Sequence, residues 1–129
     1  MFITIGDTEY ELSTKLVVAM KIEQKFKIPL TAVFEKLEFA EIPELISMLS
    51  IAAGTTGDAA FAAGIHEIWD YTDLQRAVQE LITRLMFSGD AATVEAKLEK
   101  FSSDETQKNA IRELLGMEIP AVPVSTGSE

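Results

Sequence analysis

Hydrophobic and polar residues alternate in FITIGDTEYEL, residues 2–12, and this period of two is typical of β-strands. Gly6 and Asp7 fit the two central positions of a tight hairpin turn, where a positive φ is needed and both residue types tolerate it. The register then places two pairs opposite each other, Ile5 with Thr8 and Ile3 with Tyr10. One face of the predicted hairpin is apolar (Ile3, Ile5, Tyr10, Leu12) and the other is mostly polar (Phe2, Thr4, Glu9, Glu11).

Beyond the hairpin, apolar residues recur every three or four positions, which predicts helices. Ser13 is a suitable N-cap for a helix over 14–27. Its inward stripe contains Ala19, Ile22 and Phe26, with Leu16 and Val18 beside them. Pro29 ends this helix, because the residue before a proline avoids the α region. A short helix follows over 30–38, with Leu30, Val33, Phe34 and Leu37 at helical spacing.

The middle of the chain predicts two further helices. The stretch 41–54 has Pro43 in its first turn and Gly54 at the position of a left-handed C-cap. Asp58 is placed to cap a second helix that runs as far as Trp69. We therefore expect a helical pair across this region.

The first of the last three predicted helices has the clearest periodicity in the chain. Thr72 and Gln75 form a capping-box pattern for a helix that Gly89 ends, while Asp90 and Ser103 begin the next two. The inward positions are Leu74, Ala77, Val78, Leu81, Ile82, Leu85, Met86, Val94, Leu98, Phe101, Ile111, Leu114 and Leu115. The prolines and small polar residues of 118–129 predict a flexible tail.

Together these elements predict a mainly α fold, in which a short N-terminal β-hairpin (1–12) packs on a compact bundle of about five to seven helices. A chain of 129 residues, 47% of them hydrophobic, is large enough for one sizeable core. We therefore expect a single domain over 1–117. No self-similarity with a period of about 34 residues points to a helical repeat.

The charge balance limits the partners. Eleven basic and twenty-one acidic residues give a formal net charge of −10. This field repels nucleic acids and anionic membranes and suits a basic or neutral protein partner. No signal peptide or membrane span is apparent, and the chain has no cysteine for a disulfide, thiolate site or nucleophile. We expect a cytoplasmic protein.

No catalytic signature is present, so we expect no enzyme activity, no cofactor and no metal. His66 is the only histidine, and catalytic zinc usually takes several protein ligands. The run TTGDAAFAAG lacks the spacing and the lysine of a phosphate-binding loop. The carboxylate pairs Glu41 with Glu44 and Asp70 with Asp73 are expected on solvated helix faces.

Candidate partner-binding residues lie on the hairpin edge and along the small-residue stretch that follows residue 50. A holding protein needs an accessible strand edge or apolar patch, and aromatic residues are frequent at interaction hot spots. The candidates are Thr4, Glu9, Glu11, Ile51, Phe61, Ile65, Trp69 and Tyr71. For Trp69 and Tyr71, core packing with the polar tips hydrogen-bonded is the alternative role, and the residues favour it over an exposed anchor. Met48 and Met117 are expected in the core.

The first part of the chain, about residues 2–54, resembles the tail assembly chaperones of long-tailed bacteriophages and prophages. The shared order is a hairpin with a glycine turn and EYEL, a helix carrying KIEQKF, then IPLTAVFEKLE and EIPELISMLSIAAG. The positions that carry the resemblance are Ile3, Ile5, Gly6, Tyr10, Leu12, Ile22, Glu23, Leu30, Phe34, Leu37, Ile42, Leu45 and Leu49. Lys21 departs slightly from the family pattern, and the chain beyond Gly54 matches only as a run of helices.

The resemblance implies a protein that binds the tail tube and tape-measure proteins, keeps them soluble in the host cytoplasm and is absent from the mature virion. It also implies a monomer or weak homo-oligomer, without catalytic residues. Many members also have a longer form made by translational frameshifting. Two other classes remain open: an acidic helical adaptor or regulator that docks on a host protein, and a small enzyme that uses His66.

Overall fold

The computed structural model describes residues 1–55 and 59–117, which fall in two compact units, Met1–Ser88 and the part that begins at Gly89. The elements in chain order are β1 (Phe2–Ile5), β2 (Thr8–Glu11), α1 (Leu16–Phe26), α2 (Leu30–Lys36), a 3-10 turn (Leu37–Phe39), α3 (Ile42–Ala53), α4 (Ala59–Ile68), α5 (Tyr71–Met86), α6 (Ala91–Phe101) and α7 (Glu105–Leu114). The predicted fold class, mainly helical with an N-terminal hairpin, is confirmed. The single domain stays a prediction. The predicted cap Asp58 and the tail 118–129 lie outside the described residues.

The hairpin has the predicted register. β1 and β2 are antiparallel, with Ile5 opposite Thr8 and Ile3 opposite Tyr10. Gly6 has a φ of 62°, and Asp7 does not share this left-handed conformation. Only the first turn position therefore needs glycine, as in a type II′ turn.

The apolar face of the hairpin packs within the core of the first unit. Ile3, Ile5 and Leu12 are buried in one cluster with residues of α1 to α5. A Cβ built on Gly64 of α4 would lie 2.9 Å from Cγ2 of Ile5, so the helix passes closer to the strand than a side chain would allow. The hairpin is therefore supported by the helices of its own unit. A free two-stranded hairpin has no such support and is only marginally stable in water.

The start of α1 corrects the sequence prediction. The N-cap is Lys15, which makes no side-chain capping bond, and the Oγ of Ser13 instead accepts from the backbone N–H of Lys15 at 3.3 Å. Because the helix begins at Leu16, that side chain lies in the first turn and is 82% exposed. Its predicted place on the inward stripe is wrong, whereas Val18 and Ile22 are buried as predicted.

The helices α3 and α5 both begin with a capping box made of two acidic residues. Glu41 and Glu44 form it on α3, where Gly54 ends the helix with the predicted left-handed φ of 72°. On α5, Oδ1 of Asp70 accepts from the N–H of Asp73 at 2.8 Å, and Asp73 accepts in return from the N–H of Asp70. The predicted capping box that begins at Thr72 is wrong, because that residue lies one position inside the helix.

The core of the first unit is apolar. The fully buried side chains with the largest volumes come from β2's end and from α1 to α5, and they are Leu12, Ile22, Val33, Leu45, Leu49, Phe61, Val78, Leu81, Ile82 and Thr83. Thr83 is the polar member, and its Oγ1 donates to the backbone carbonyl of Gln79 at 2.6 Å. The predicted core role of Met48 is confirmed. None of the described helices is both long and apolar enough to cross a bilayer.

In the second unit, aspartates cap both helices. Asp90 accepts from the N–H of Thr93 at the start of α6, as predicted, whereas Asp104 rather than Ser103 caps α7. Val94, Leu98 and Ile111 are buried as predicted, while Leu114 and Leu115 are half-buried.

Two buried cations distinguish the second unit. Arg112 binds both carboxylate oxygens of Glu95, through Nε at 2.8 Å and Nη2 at 2.7 Å. Lys108 pairs with Glu99 and, at 2.7 Å, with Glu105. The pairs with Glu95 and Glu99 join α6 to α7.

Candidate functional site

The two edges of the hairpin carry different sets of free backbone groups. In an antiparallel pair, residues alternate between exchanging hydrogen bonds with the partner strand and directing them outward. Met1 and Leu12 exchange bonds, with the N–H of Leu12 donating to the Met1 carbonyl at 2.6 Å. Counting along the register, the backbone groups of Thr4 on β1 and of Glu9 and Glu11 on β2 point away from the hairpin.

Trp69 blocks the β1 edge at one point, the carbonyl of Thr4. Its Nε1 donates to the backbone carbonyl of Thr4 at 3.2 Å, and its ring is partly buried against the core. The residue follows the last turn of α4, the helix that packs on β1. Trp69 therefore holds the hairpin to the helices, which is the core-packing alternative for this aromatic residue.

The β2 edge is open. The sheet has two strands, so among residues 1–55 and 59–117 no strand pairs with the outer side of β2. Glu9 and Glu11 are both exposed, and their side chains lie on the hairpin face away from the core. This edge presents outward N–H and C=O groups, flanked by two carboxylates, with which a further β-strand can pair.

A groove lies where β2 meets the helices. It has a volume of about 530 Å³ and is bounded by the end of β2, the start of α1 and the end of α3. The N–H of Ser13 donates to the Ala52 carbonyl at 2.9 Å and joins two of these elements. Glu11 and Ile51, two candidate partner-binding residues from distant parts of the sequence, both line it.

Three other candidates lie elsewhere. Phe61 and Ile65 of α4 are buried, and Phe61 packs edge-on against Tyr10 with the ring centroids 4.9 Å apart. Their side chains do not line the surface. Tyr71, at the start of α5, is half exposed, and its hydroxyl accepts from Nε2 of Gln75 at 2.8 Å.

His66 and the two acidic pairs are the residues considered above for catalysis or metal binding. His66 is exposed on α4, and no group of three His, Asp or Glu residues in the described part of the chain is placed to hold a metal ion. The acidic pairs that begin at Glu41 and at Asp70 cap helices rather than forming a carboxylate site. Their positions immediately before helical periodicity are the signal that could have indicated capping.

Sequence reasoning missed an exposed apolar face on α1. Leu16, Val17 and Met20 are exposed, and with Leu30 and Leu85 they line an apolar groove. The sequence places Val17 and Met20 outside the predicted inward stripe, whereas Leu16 is assigned to it.

Comparisons with protein-family models, with curated protein sequences and with solved structures found no match to this chain.

Proposed function

We propose that this chain is a non-enzymatic tail assembly chaperone of a long-tailed bacteriophage or prophage, which binds the tail tube and tape-measure proteins and keeps them soluble in the host cytoplasm. The open β2 edge is the observation that carries the proposal, because it is a ready docking surface in an otherwise helical unit. The family resemblance over residues 2–54 includes this hairpin and supports the same reading.

Strand addition is the docking mode that the edge suits. A client strand would accept from the outward N–H groups of Glu9 and Glu11 and donate to their carbonyls. Side chains on the added strand would face the two carboxylates, and opposite charges at such cross-strand positions are favourable. We therefore expect a client strand with Lys or Arg at alternate positions.

Holding the client follows from the same contact. An unpaired strand edge on a tube subunit is a template for aggregation until its own neighbour arrives. Pairing with β2 would cover that edge reversibly. The net charge of −10 would keep two such complexes apart, since like-charged proteins repel.

A matched pair of proline variants tests the proposal. Glu9→Pro removes an outward N–H on the open edge, and Thr4→Pro removes one on the edge that Trp69 blocks. Neither N–H bonds the partner strand, so the hairpin ladder keeps its bonds in both variants. Each variant would be co-expressed with the tube protein encoded beside it, and the tube protein in the supernatant would be measured.

We expect Glu9→Pro to lower soluble tube protein to the level found without the chaperone, and Thr4→Pro to leave it high. Circular dichroism and thermal unfolding of each purified variant provide the folding control. Charge reversal by Glu9→Lys with Glu11→Lys should weaken binding of a basic client strand as well. If co-expression of the wild-type chain leaves the solubility of the tube and tape-measure proteins unchanged, the proposed function is wrong. If the wild-type chain keeps them soluble but Glu9→Pro and Thr4→Pro give the same amount of soluble tube protein, the assignment of the docking edge is wrong.

A further inference from the structure

Helix α1 has a second apolar face that points away from the core. Val18, Ala19 and Ile22 are buried, yet Leu16 is 82% exposed, Val17 46% and Met20 47%. Single exposed apolar side chains are ordinary on protein surfaces, but contiguous ones mark interaction sites more often.

These side chains line a groove rather than a flat surface. The groove has a volume of about 460 Å³, and its remaining walls come from Ala19, Leu30 and Leu85, with Glu23 at its border. Oε2 of Glu23 already accepts from the N–H of Leu30 at 2.7 Å. The polar group at the border is therefore engaged, and the groove presents mainly methyl and methylene groups.

The helix that carries this face is rich in lysine, in a chain that is otherwise acidic. The segment 15–27 contains Lys15, Lys21, Lys25 and Lys27 against the single acid Glu23. All four lysines are exposed, and none forms an ion pair with any of the described residues. Lys15 adjoins Leu16 and Lys21 adjoins Met20 in the sequence, so this helix is complementary to an apolar stripe flanked by carboxylates.

We propose that the α1 groove docks an amphipathic helix of another protein, with Leu-type residues on one face and Asp or Glu beside them. A helix suits the groove because its walls are helices whose backbone groups are bonded internally, so side-chain packing must supply the affinity. A second copy docked by two-fold symmetry at α1 would bring its lysines against their own equivalents. An extended anionic membrane would meet the net charge of −10 of the whole chain, whereas a single helix would meet mainly the charges within about a Debye length of the groove.

The test uses two designed helical peptides of about 18 residues with the same leucine stripe, one flanked by Glu and one by Lys. Each carries a fluorophore, and anisotropy is measured against the full chain. We expect saturable binding of the Glu peptide and an affinity about tenfold or more lower for the Lys peptide. The affinity of the Glu peptide should fall as NaCl rises from about 50 to about 300 mM, because salt screens the attraction between unlike charges.

Two groups of variants separate packing from charge. Leu16→Gln with Met20→Gln should weaken binding of the Glu peptide by about tenfold or more, since it removes two exposed apolar side chains. Phe39→Gln is the matched control, because Phe39 is 79% exposed outside the groove, and should leave the affinity unchanged. Lys15→Glu with Lys21→Glu should reverse the preference between the two peptides.

Four results of the peptide and sedimentation measurements would overturn the proposal. They are the absence of binding by the Glu peptide, equal affinity for both peptides, an equal effect of the Phe39 control, or a dimer in sedimentation that Leu16→Gln with Met20→Gln dissociates. Binding to anionic vesicles that needs Leu16 and Met20, without peptide binding, would assign the groove to a membrane surface and would equally overturn it. Leu16 and Met20 do not line the groove beside β2, so the effect of Leu16→Gln with Met20→Gln is independent of the β2 edge.

Discussion

The two units differ in the kind of side chain that they bury. In the first, side chains such as Ile22, Leu49 and Phe61 are fully buried, and apolar packing holds the elements together. In the second, the buried side chains include Lys108 and Arg112, which among the described residues are the buried charged ones. Each of these cations is neutralised by carboxylates of α6 or α7.

The difference shows how the kind of burial determines what a unit responds to. Apolar burial is non-directional and depends little on pH, so the first unit should tolerate acid but not the loss of volume. Buried cations need their partners, because a charge left unpaired in the interior is costly. The hydrogen bond from Arg112 lowers the pKa of Glu95, and the hydrogen bond from Lys108 lowers that of Glu105. The second unit should therefore respond to pH and to charge changes.

The largest effect is expected from a cavity in the first unit. Leu49→Ala should lower the free energy of unfolding by about 2–5 kcal/mol, because a fully buried leucine loses its apolar burial and leaves a void. Urea denaturation followed by circular dichroism measures it. Leu16→Ala is the matched control, since the same change at an exposed position should cost less than about 0.5 kcal/mol. Equal losses for the two leucines would contradict the apolar account of this unit.

The ion pairs of the second unit should come next. Arg112→Met should destabilise α6 and α7 by about 1–2 kcal/mol, below the usual cost of breaking a buried pair because the Glu95 side chain is 39% exposed. Amide hydrogen exchange in α6 and α7 reports the change.

The control for this variant is Arg84→Met, which removes a partly exposed pair with Glu80 on α5 and should cost about 0.3–0.5 kcal/mol. The same small effect at both arginines would mean that burial adds nothing to the Arg112 contacts.

The errors of the sequence prediction share a physical cause. Period two with a glycine turn predicts the hairpin register, and period 3.6 predicts the buried positions of α5, because both follow from side-chain directions alone. Helix starts are harder to predict, since Ser, Thr and Asp compete for the same cap. At α5 and α7 an aspartate is the cap where Thr72 and Ser103 are predicted.

The candidate site was predictable only in part. Glu9 and Glu11 are identified as an outer face by alternation, but the open and blocked edges cannot be told apart locally. The Nε1 of Trp69 that blocks the β1 edge comes from a residue 65 positions after Thr4. The apolar face of α1 was missed because an apolar residue in a helical pattern is ordinarily assigned to the core.

Cap removal gives the third prediction and tests whether the units unfold separately. Asp70→Ala should destabilise the first unit by about 1 kcal/mol, because the N–H of Asp73 loses its acceptor. Thr72→Ala, which lies inside the helix, should change the stability by less than about 0.5 kcal/mol. Hydrogen exchange should show the loss in α5, with α7 unchanged. A larger effect of the threonine variant would restore Thr72 as the cap.

Acidification should give the smallest effect, because the carboxylates involved are 39% and 64% exposed and are screened by solvent. The pKa values of Glu95 and Glu105 in the folded protein lie below their ordinary range. Their ion pairs therefore stabilise the second unit fully above about pH 4.3, the pKa of an unfolded glutamate. This stabilisation is lost as the pH falls through the pKa values of the folded state. Hydrogen exchange between pH 7 and about pH 3 should lose protection in α7 before the amides around Leu81 of α5, and Arg112→Met should flatten the α7 dependence. Loss of protection in both units at one midpoint would show that the ion pairs do not set the acid response.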